Sequence, residues 1–442
     1  MTAPISGGSS SPTIRRAAVD SPPAGSPVAE PPQQSPDQAS FSGTPPAGGD
    51  PVAAARAAMD QKVLDSLDDA TKPKFEALTR EQRDQYAALY LAVGDDSRSA
   101  LARLLADGRL IGVKSLRDDK DVLGQLATLL KPENLAPTLR PDHHDTTSRT
   151  GMQQLPYVEQ LIRETADPGL ISQRSHNTCG ATTVEYMLAK TNPSEFVRLA
   201  SELASPRGKT RLAGGERLDI ADTHGLDMDQ SGRTDVDRLM QSALMDAARI
   251  HFFGFGNHYD NRTDKGSVAP NVPGFSPTEM DKVLGQVLKQ NRIAMLTPNH
   301  PQDGVVSFFG NLVHEGADLL SPLGALNSHL RNFLDTYRSH SMNEILDRVQ
   351  HSLDKGGMVP VLTTFTSGQD VRSKVESLHY LAIVGVDREK GTVTLRNPWG
   401  SGEDGGGQGN PARSLVPGAD AGTITMTVTE FEKVARVVFP EK

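Results

Sequence analysis

The chain has one cysteine and one tryptophan in 442 residues. A single thiol excludes an intrachain disulfide, so stability does not depend on an oxidising compartment. No apolar run approaches the roughly 18 residues that a membrane-spanning helix needs, so no membrane span is expected. The opening stretch, "MTAPISGGSSSPTIRRAAVD", lacks the apolar core of a secretory signal. The expectation is a soluble chain, either cytoplasmic or exported by a specialised secretion system. Basic and acidic residues are nearly balanced, 46 Lys and Arg against 55 Asp and Glu. The net charge of −9 is spread along the sequence with no basic stripe to grip phosphates, so no nucleic-acid partner is expected. Hydrophobic residues make up 36% of the chain, low for a fully folded protein, which predicts that part of it stays unfolded.

That part is placed at the start. Half of the first 50 residues are Ser, Pro or Gly. Such a composition buries too little apolar surface to offset the entropy of ordering, so residues 1–56 read as a disordered tail. Its Ser-rich character is similar to the leaders that effector-injecting bacterial secretion systems read. Residues 57–135 turn helical. Thr79 and Gln82 stand at capping-box spacing, Tyr86, Leu89, Tyr90 and Val93 recur at helical spacing, and Gly94 is placed as a C-terminal cap. "SRSALARLLADG" follows, with Leu101, Leu104 and Leu105 on one face and Gly108 after it. This small helical module fits a pro-region, a targeting unit or a scaffold equally well. Residues 136–151 read as a linker. Its Asp142, His143, His144 and Asp145 have no second ligand cluster at matching spacing, so they are read as solvated and no metal is assigned.

Residues 152–442 read as α+β, mostly helical at about 200–350, with strands gathered near the end. "MVPVLTTF", "HYLAIVGVD", "GTVTLRNPW" and "TITMTV" carry the strand signal, and a Gly-rich loop separates the last two. "DMDQSGRTDVDR", from Asp227, has part of a calcium-loop pattern. Its twelfth position is Arg238 where a bidentate Glu is needed, so it is read as a polar loop leading into a helix at Asp235.

The lone thiol sits in a distinctive place. Cys179 opens a helix whose apolar face is Val184, Met187 and Leu188, and Asn192-Pro193 ends it while starting the next. A helix N-terminus and a nearby imidazolium both favour a thiolate. Gln173, six residues earlier, can curl back and donate to a developing oxyanion beside the Cys179 backbone N–H. A base comes from "SLHYLAIVGVDREKGTVTLRNPWG". His379 begins an apolar strand, "DREKG" makes a turn, and Asn397 ends the return strand. The hairpin therefore brings His379 and Asn397 to one end. The Asn oxygen is expected to accept the imidazole Nδ1–H and so aim Nε2 at the thiol, with Trp399 covering that bond.

Taken together, Gln173, Cys179-Gly180, His379 and Asn397-Pro398-Trp399-Gly400 stand in the order found in papain-like cysteine peptidases. The "NPWG" is most similar to calpains. The "CGATTVEYML" helix and the His-bearing hairpin resemble bacterial double-glycine leader peptidases, which usually carry Asp at the position of Asn397. "DKGGMVPVLTTF" and "MTVTEFEKVARVV" resemble the flanking segments of such folds. The resemblance covers about 170–190 and 355–437. It implies a papain-like domain in which the Cys-bearing helix packs against an antiparallel sheet bearing His and Asn. It further implies Cys179 as nucleophile, His379 as base, Asn397 as its orienter, Gln173 as oxyanion donor, a protein or peptide substrate, and no cofactor. The aromatic that many papains carry after the Cys is missing, and the stretch between Cys and His is long. Transglutaminases, deamidases and acyltransferases use the same triad, and a catalytically silent binding module on this scaffold is the remaining alternative. The oligomeric state has no signal in the sequence.

Overall fold

The computed structural model describes residues 51–135, 154–220, 226, 231–248, 259–261, 274–288, 296–298, 339–366, 376–400 and 422–441. The tail up to residue 50, the His143-His144 linker, the first four residues of the calcium-like loop (227–230) and the Gly-rich stretch 401–421 lie outside the described residues, as does much of the 200–350 insertion.

Five helices open the described chain: α1 (Pro51–Ser66), α2 (Lys72–Glu76), α3 (Arg80–Ala92), α4 (Asp95–Ala106) and α5 (Val122–Leu129). Helix α1 begins at Pro51, so residues 51–56 of the stretch read as tail are helical. Helix α3 starts with the expected capping box, Thr79 accepting from the Gln82 N–H and the Gln82 side chain accepting from the Thr79 N–H. Gly94 differs from the expectation. It is the N-cap of α4 at an ordinary φ of −76°, and Val93 closes α3. The Gly94 N–H donates to Glu159 at 2.6 Å, which ties this corner to the helix that spans Gln154–Ala166. Leu101, Leu104 and Leu105 are buried as their spacing predicted.

Next come α6 (Gln154–Ala166), α7 (Cys179–Thr191) and α8 (Pro193–Leu203). Helix α4 packs on α6 and α5 on α8, so the opening helices share one hydrophobic core with the rest. Asn192 ends α7 and caps α8, accepting from the Glu195 N–H at 2.9 Å, with Pro193 in the first turn. A short hairpin, β1 (Lys209–Arg211) with β2 (Arg217–Asp219), leads to α9 (Asp235–Ala248) and α10 (Pro277–Val287). Helix α9 lies on α6, α7, α8 and α10 and is buried along its whole length.

A two-residue parallel pair, β3 (Thr297–Pro298) and β4 (Ser339–His340), precedes α11 (Met342–Asp354). Then β5 (Val359–Thr366), β6 (Glu376–Asp387), β7 (Thr392–Arg396) and β8 (Thr423–Thr427) follow. A last helix, α12 (Val428–Val434), runs into β9 (Ala435–Val438). The five strands form one antiparallel sheet in the order β8-β7-β6-β5-β9. Period-two burial gives the sheet two apolar faces. Leu362, Tyr380, Ala382 and Val437 join the large helical core, while Val361, Leu381, Ile383 and Val393 join Ile345, Leu346 and Val349 of α11. The α+β expectation holds at this level, as mixed helix and antiparallel sheet. Among the described residues no helix is long and apolar enough to cross a membrane.

Candidate active site

Cys179 is the first residue of α7 and is buried. Helix α7 differs from the amphipathic reading: all residues from Cys179 to Ala189 are buried, Glu185 among them. It is a central helix packed against α8, α9 and β6, and β6 carries His379. Close approach explains Gly180. A Cβ there would lie 2.5 Å from Cδ2 of Phe275, so a larger residue cannot follow the cysteine without displacing that ring. Thr178, the N-cap, makes no side-chain bond to the first-turn N–H groups of α7. Its hydroxyl donates instead to Oε1 of Gln241 at 2.7 Å.

His379 is the fourth residue of β6, not its first, and stands opposite Thr363 of β5. On the other side β7 pairs Arg396 with Ala382. Continuing that register by three residues sets Trp399 opposite His379, and the two rings stack with centroids 4.4 Å apart. Asn397, fully buried, lies between them in sequence order along the loop and meets the imidazole at 3.0 Å. The turn joining the strands is held by Asp387, which accepts from the Lys390 N–H at 2.9 Å.

The atom that bonds His379 is Oδ1 of Asn397, and the same oxygen accepts from the Trp399 backbone N–H at 3.1 Å. A backbone N–H can only donate, so this end of the amide is the oxygen. The imidazole atom facing it must then carry a proton, and that atom is Nε2. This corrects the expected tautomer. The proton sits on Nε2 and Nδ1 is the basic nitrogen. Burial pushes His379 down to about 4, and the Asn397 bond opposes this only in part. Burial thus favours the neutral ring, and an anion forming beside it would favour the imidazolium.

Gln173 is also buried. Its backbone N–H donates to the Pro398 carbonyl at 2.9 Å, and its side-chain Nε2 donates to the His176 carbonyl at 2.6 Å. That second bond uses one of the two amide protons and closes a turn in which Arg174 takes a left-handed φ of 51°. Ser172 Oγ donates to the Trp399 carbonyl at 3.0 Å. Gly400 has a φ of +86°, and a Cβ there would lie 2.9 Å from Ser172 Oγ, so both conformation and space require glycine. The segment carrying Gln173 is thus laced directly to the loop carrying Asn397 and Trp399.

Three groups of this arrangement were not legible in the sequence. Arg396, buried at the end of β7, donates to the carbonyls of Asn397, Gly169 and Ile171 and lies over the Tyr186 ring of α7. Asp237 on α9 accepts the Ser172 N–H at 3.2 Å, and Gln241 donates to the Ser172 carbonyl at 3.2 Å. Behind them Glu164, Glu185 and Asp237 form a buried carboxyl group. Burial is the main cause that pushes Glu164 and Glu185 well above the carboxylate range, reinforced by mutual repulsion, and it lifts Asp237 to about 7. Arg396 alone had a possible signal, its place beside Asn397. Among the described residues no cluster of three or more His, Cys, Asp or Glu side chains is arranged to hold a metal. A buried thiol at a helix start, a neutral imidazole with a fixed tautomer and a tethered amide together suit attack on a carbonyl carbon. Compared with models of known families, with curated proteins and with solved structures, the chain matches none of them.

Proposed function

We propose that the protein is a papain-like cysteine peptidase that hydrolyses peptide bonds through Cys179, His379 and Asn397. The observation that carries this reading is the doubly bonded Asn397 oxygen, which fixes the His379 tautomer. Nδ1 of His379 removes the Sγ proton of Cys179. The thiolate adds to the substrate carbonyl carbon, and the carbonyl oxygen takes the negative charge. Gln173 Nε2, through its second proton, and the Cys179 N–H donate to that oxygen. The intermediate collapses, the C–N bond breaks, and the amine leaves with the proton held by His379. A thioester remains, and water activated by the same Nδ1 hydrolyses it. Asn397 moves no proton. It keeps Nε2 protonated and the ring in register.

The test is alkylation of the folded protein by iodoacetamide near pH 7, read at Cys179 by mass spectrometry. Labelling should be faster in the folded wild type than in urea, and sharply slower in His379→Ala. Equal rates in all three would make Cys179 a structural residue. An epoxysuccinyl inhibitor should modify the same atom. Product mass then separates cleavage of a peptide bond from transfer of the acyl group to another amine, the alternative the same three residues support.

A further inference from the structure

We propose that Gln241 is a positioning residue for the oxyanion donors, an inference that rests on the proposed function. Its side chain is fully buried and uses all of its hydrogen-bonding capacity. Oε1 accepts from Thr178 Oγ1 at 2.7 Å and from Arg233 Nη1 at 3.0 Å. Nε2 donates to the Ser172 carbonyl at 3.2 Å and to Glu185 Oε2 at 3.1 Å. Arg233 has only donors and the Ser172 carbonyl only accepts, so the amide has one possible orientation.

The placement of these four bonds is what gives Gln241 its role. Ser172 immediately precedes Gln173, and Thr178 immediately precedes Cys179. One side chain thus clamps both ends of the loop whose two ends carry the two oxyanion donors. Asp237, one turn earlier on the same helix, takes the Ser172 N–H. Both backbone polar groups of Ser172 are therefore held by α9. At the other end the clamp draws the Thr178 hydroxyl away from the N–H groups of α7, which a Thr at this position ordinarily caps. The spacing between the Gln173 amide and the Cys179 N–H is set from below the site, by a residue that touches neither substrate nor thiol. A donor misplaced by about 1 Å costs catalysis up to roughly a hundredfold.

The test compares two reactions of Cys179. Acetylation by p-nitrophenyl acetate passes through an oxyanion: the S–C bond forms, the C–O bond breaks and p-nitrophenolate leaves. Alkylation by iodoacetamide displaces iodide from carbon with no oxyanion. Gln241→Met should slow acetylation roughly ten- to a hundredfold and alter alkylation by less than about threefold. Thr178→Val should shift the ratio in the same direction, and Thr178→Ser, which keeps the hydroxyl, should restore it. This pair decides the matter if Gln241→Met does not fold. An unchanged ratio of the two rates in folded Gln241→Met, or in Thr178→Val, overturns the inference while leaving Cys179 as nucleophile. The proposed function is read on wild type alone. If wild-type Cys179 reacts with neither reagent faster than in the unfolded chain, that reading fails, and the positioning role falls with it.

Discussion

Protonation of His379 offers the sharpest test of the site's electrostatics. The folded ring is held at about 4, against 6.5 for an unperturbed histidine, chiefly by burial. The unfolded chain therefore binds this proton more tightly than the folded one. A depressed pKa contributes stability that is fully present above 6.5 and is lost as the pH falls through 4. Between pH 7.5 and 4 the loss is about 3 kcal/mol, a large share of the about 5–15 kcal/mol of an ordinary domain. His379→Gln keeps a donor for Asn397 and cannot titrate. Urea unfolding of both proteins across this range isolates the effect as a difference of differences. The raised carboxyls Glu164, Glu185 and Asp237 run the opposite way, stabilising the fold at low pH, but they are common to both proteins and cancel. Wild type should lose about 3 kcal/mol relative to the variant on going to pH 4. If the resting pair were instead thiolate and imidazolium, His379 would be raised. Wild type would then gain stability relative to the variant, or stay level with it, as the pH falls, and the account of a neutral imidazole would be refuted.

Other outcomes follow from the same geometry. Asn397→Asp keeps an acceptor for both Trp399 and His379, so Cys179 alkylation should stay within about tenfold of wild type; Asn397→Ala should fall roughly a hundredfold yet remain above His379→Ala. Trp399→Ala removes the ring stacked on His379 and admits water, so the imidazole pKa, followed by NMR, should rise from about 4 toward 6.5; Trp399→Phe should hold it low. Gly180→Ala puts a methyl against Phe275 and should cost about 1–3 kcal/mol in urea unfolding, part of it recovered by adding Phe275→Leu.

What could be read in advance, and what could not, divides along a physical line. Local signals survived translation into structure. The Thr79 and Gln82 capping box, the Asn192-Pro193 junction and the four strands near the end are set by residues adjacent or nearly adjacent in sequence. The hairpin also carried its own geometry, so the meeting of His379 with Asn397 was legible from a turn and two strand lengths. Finer features depended on contacts from elsewhere. The tautomer of His379 is set by the Trp399 N–H reaching the same oxygen, and no spacing rule separates Nε2 from Nδ1 in advance. Gly94 suited a helix end, but the neighbouring helix starts at once and takes it as an N-cap.

Gln241 is the extreme case. In sequence it is one polar residue in "DVDRLMQSALMDAARI", where an amphipathic helix would turn it to water. It is buried because α9 is surrounded on every side by α6, α7, α8 and α10, so no face of that helix is left for solvent. A buried amide with a missing partner costs about 1–3 kcal/mol, so each of its four bonds must be met; the two ends of the loop, Ser172 and Thr178, supply two of them, and Arg233 and Glu185 the other two. The recognisable residues of the site, Cys179, His379 and Asn397, are those whose chemistry is intrinsic to the side chain. The residues that hold them in place draw their role from partners 56 to 69 positions away, as Gln241 does from Glu185 and Ser172. A search for such residues must therefore begin from buried polar groups whose bonds are all satisfied, since saturation of that kind is what the chain around a precise site requires.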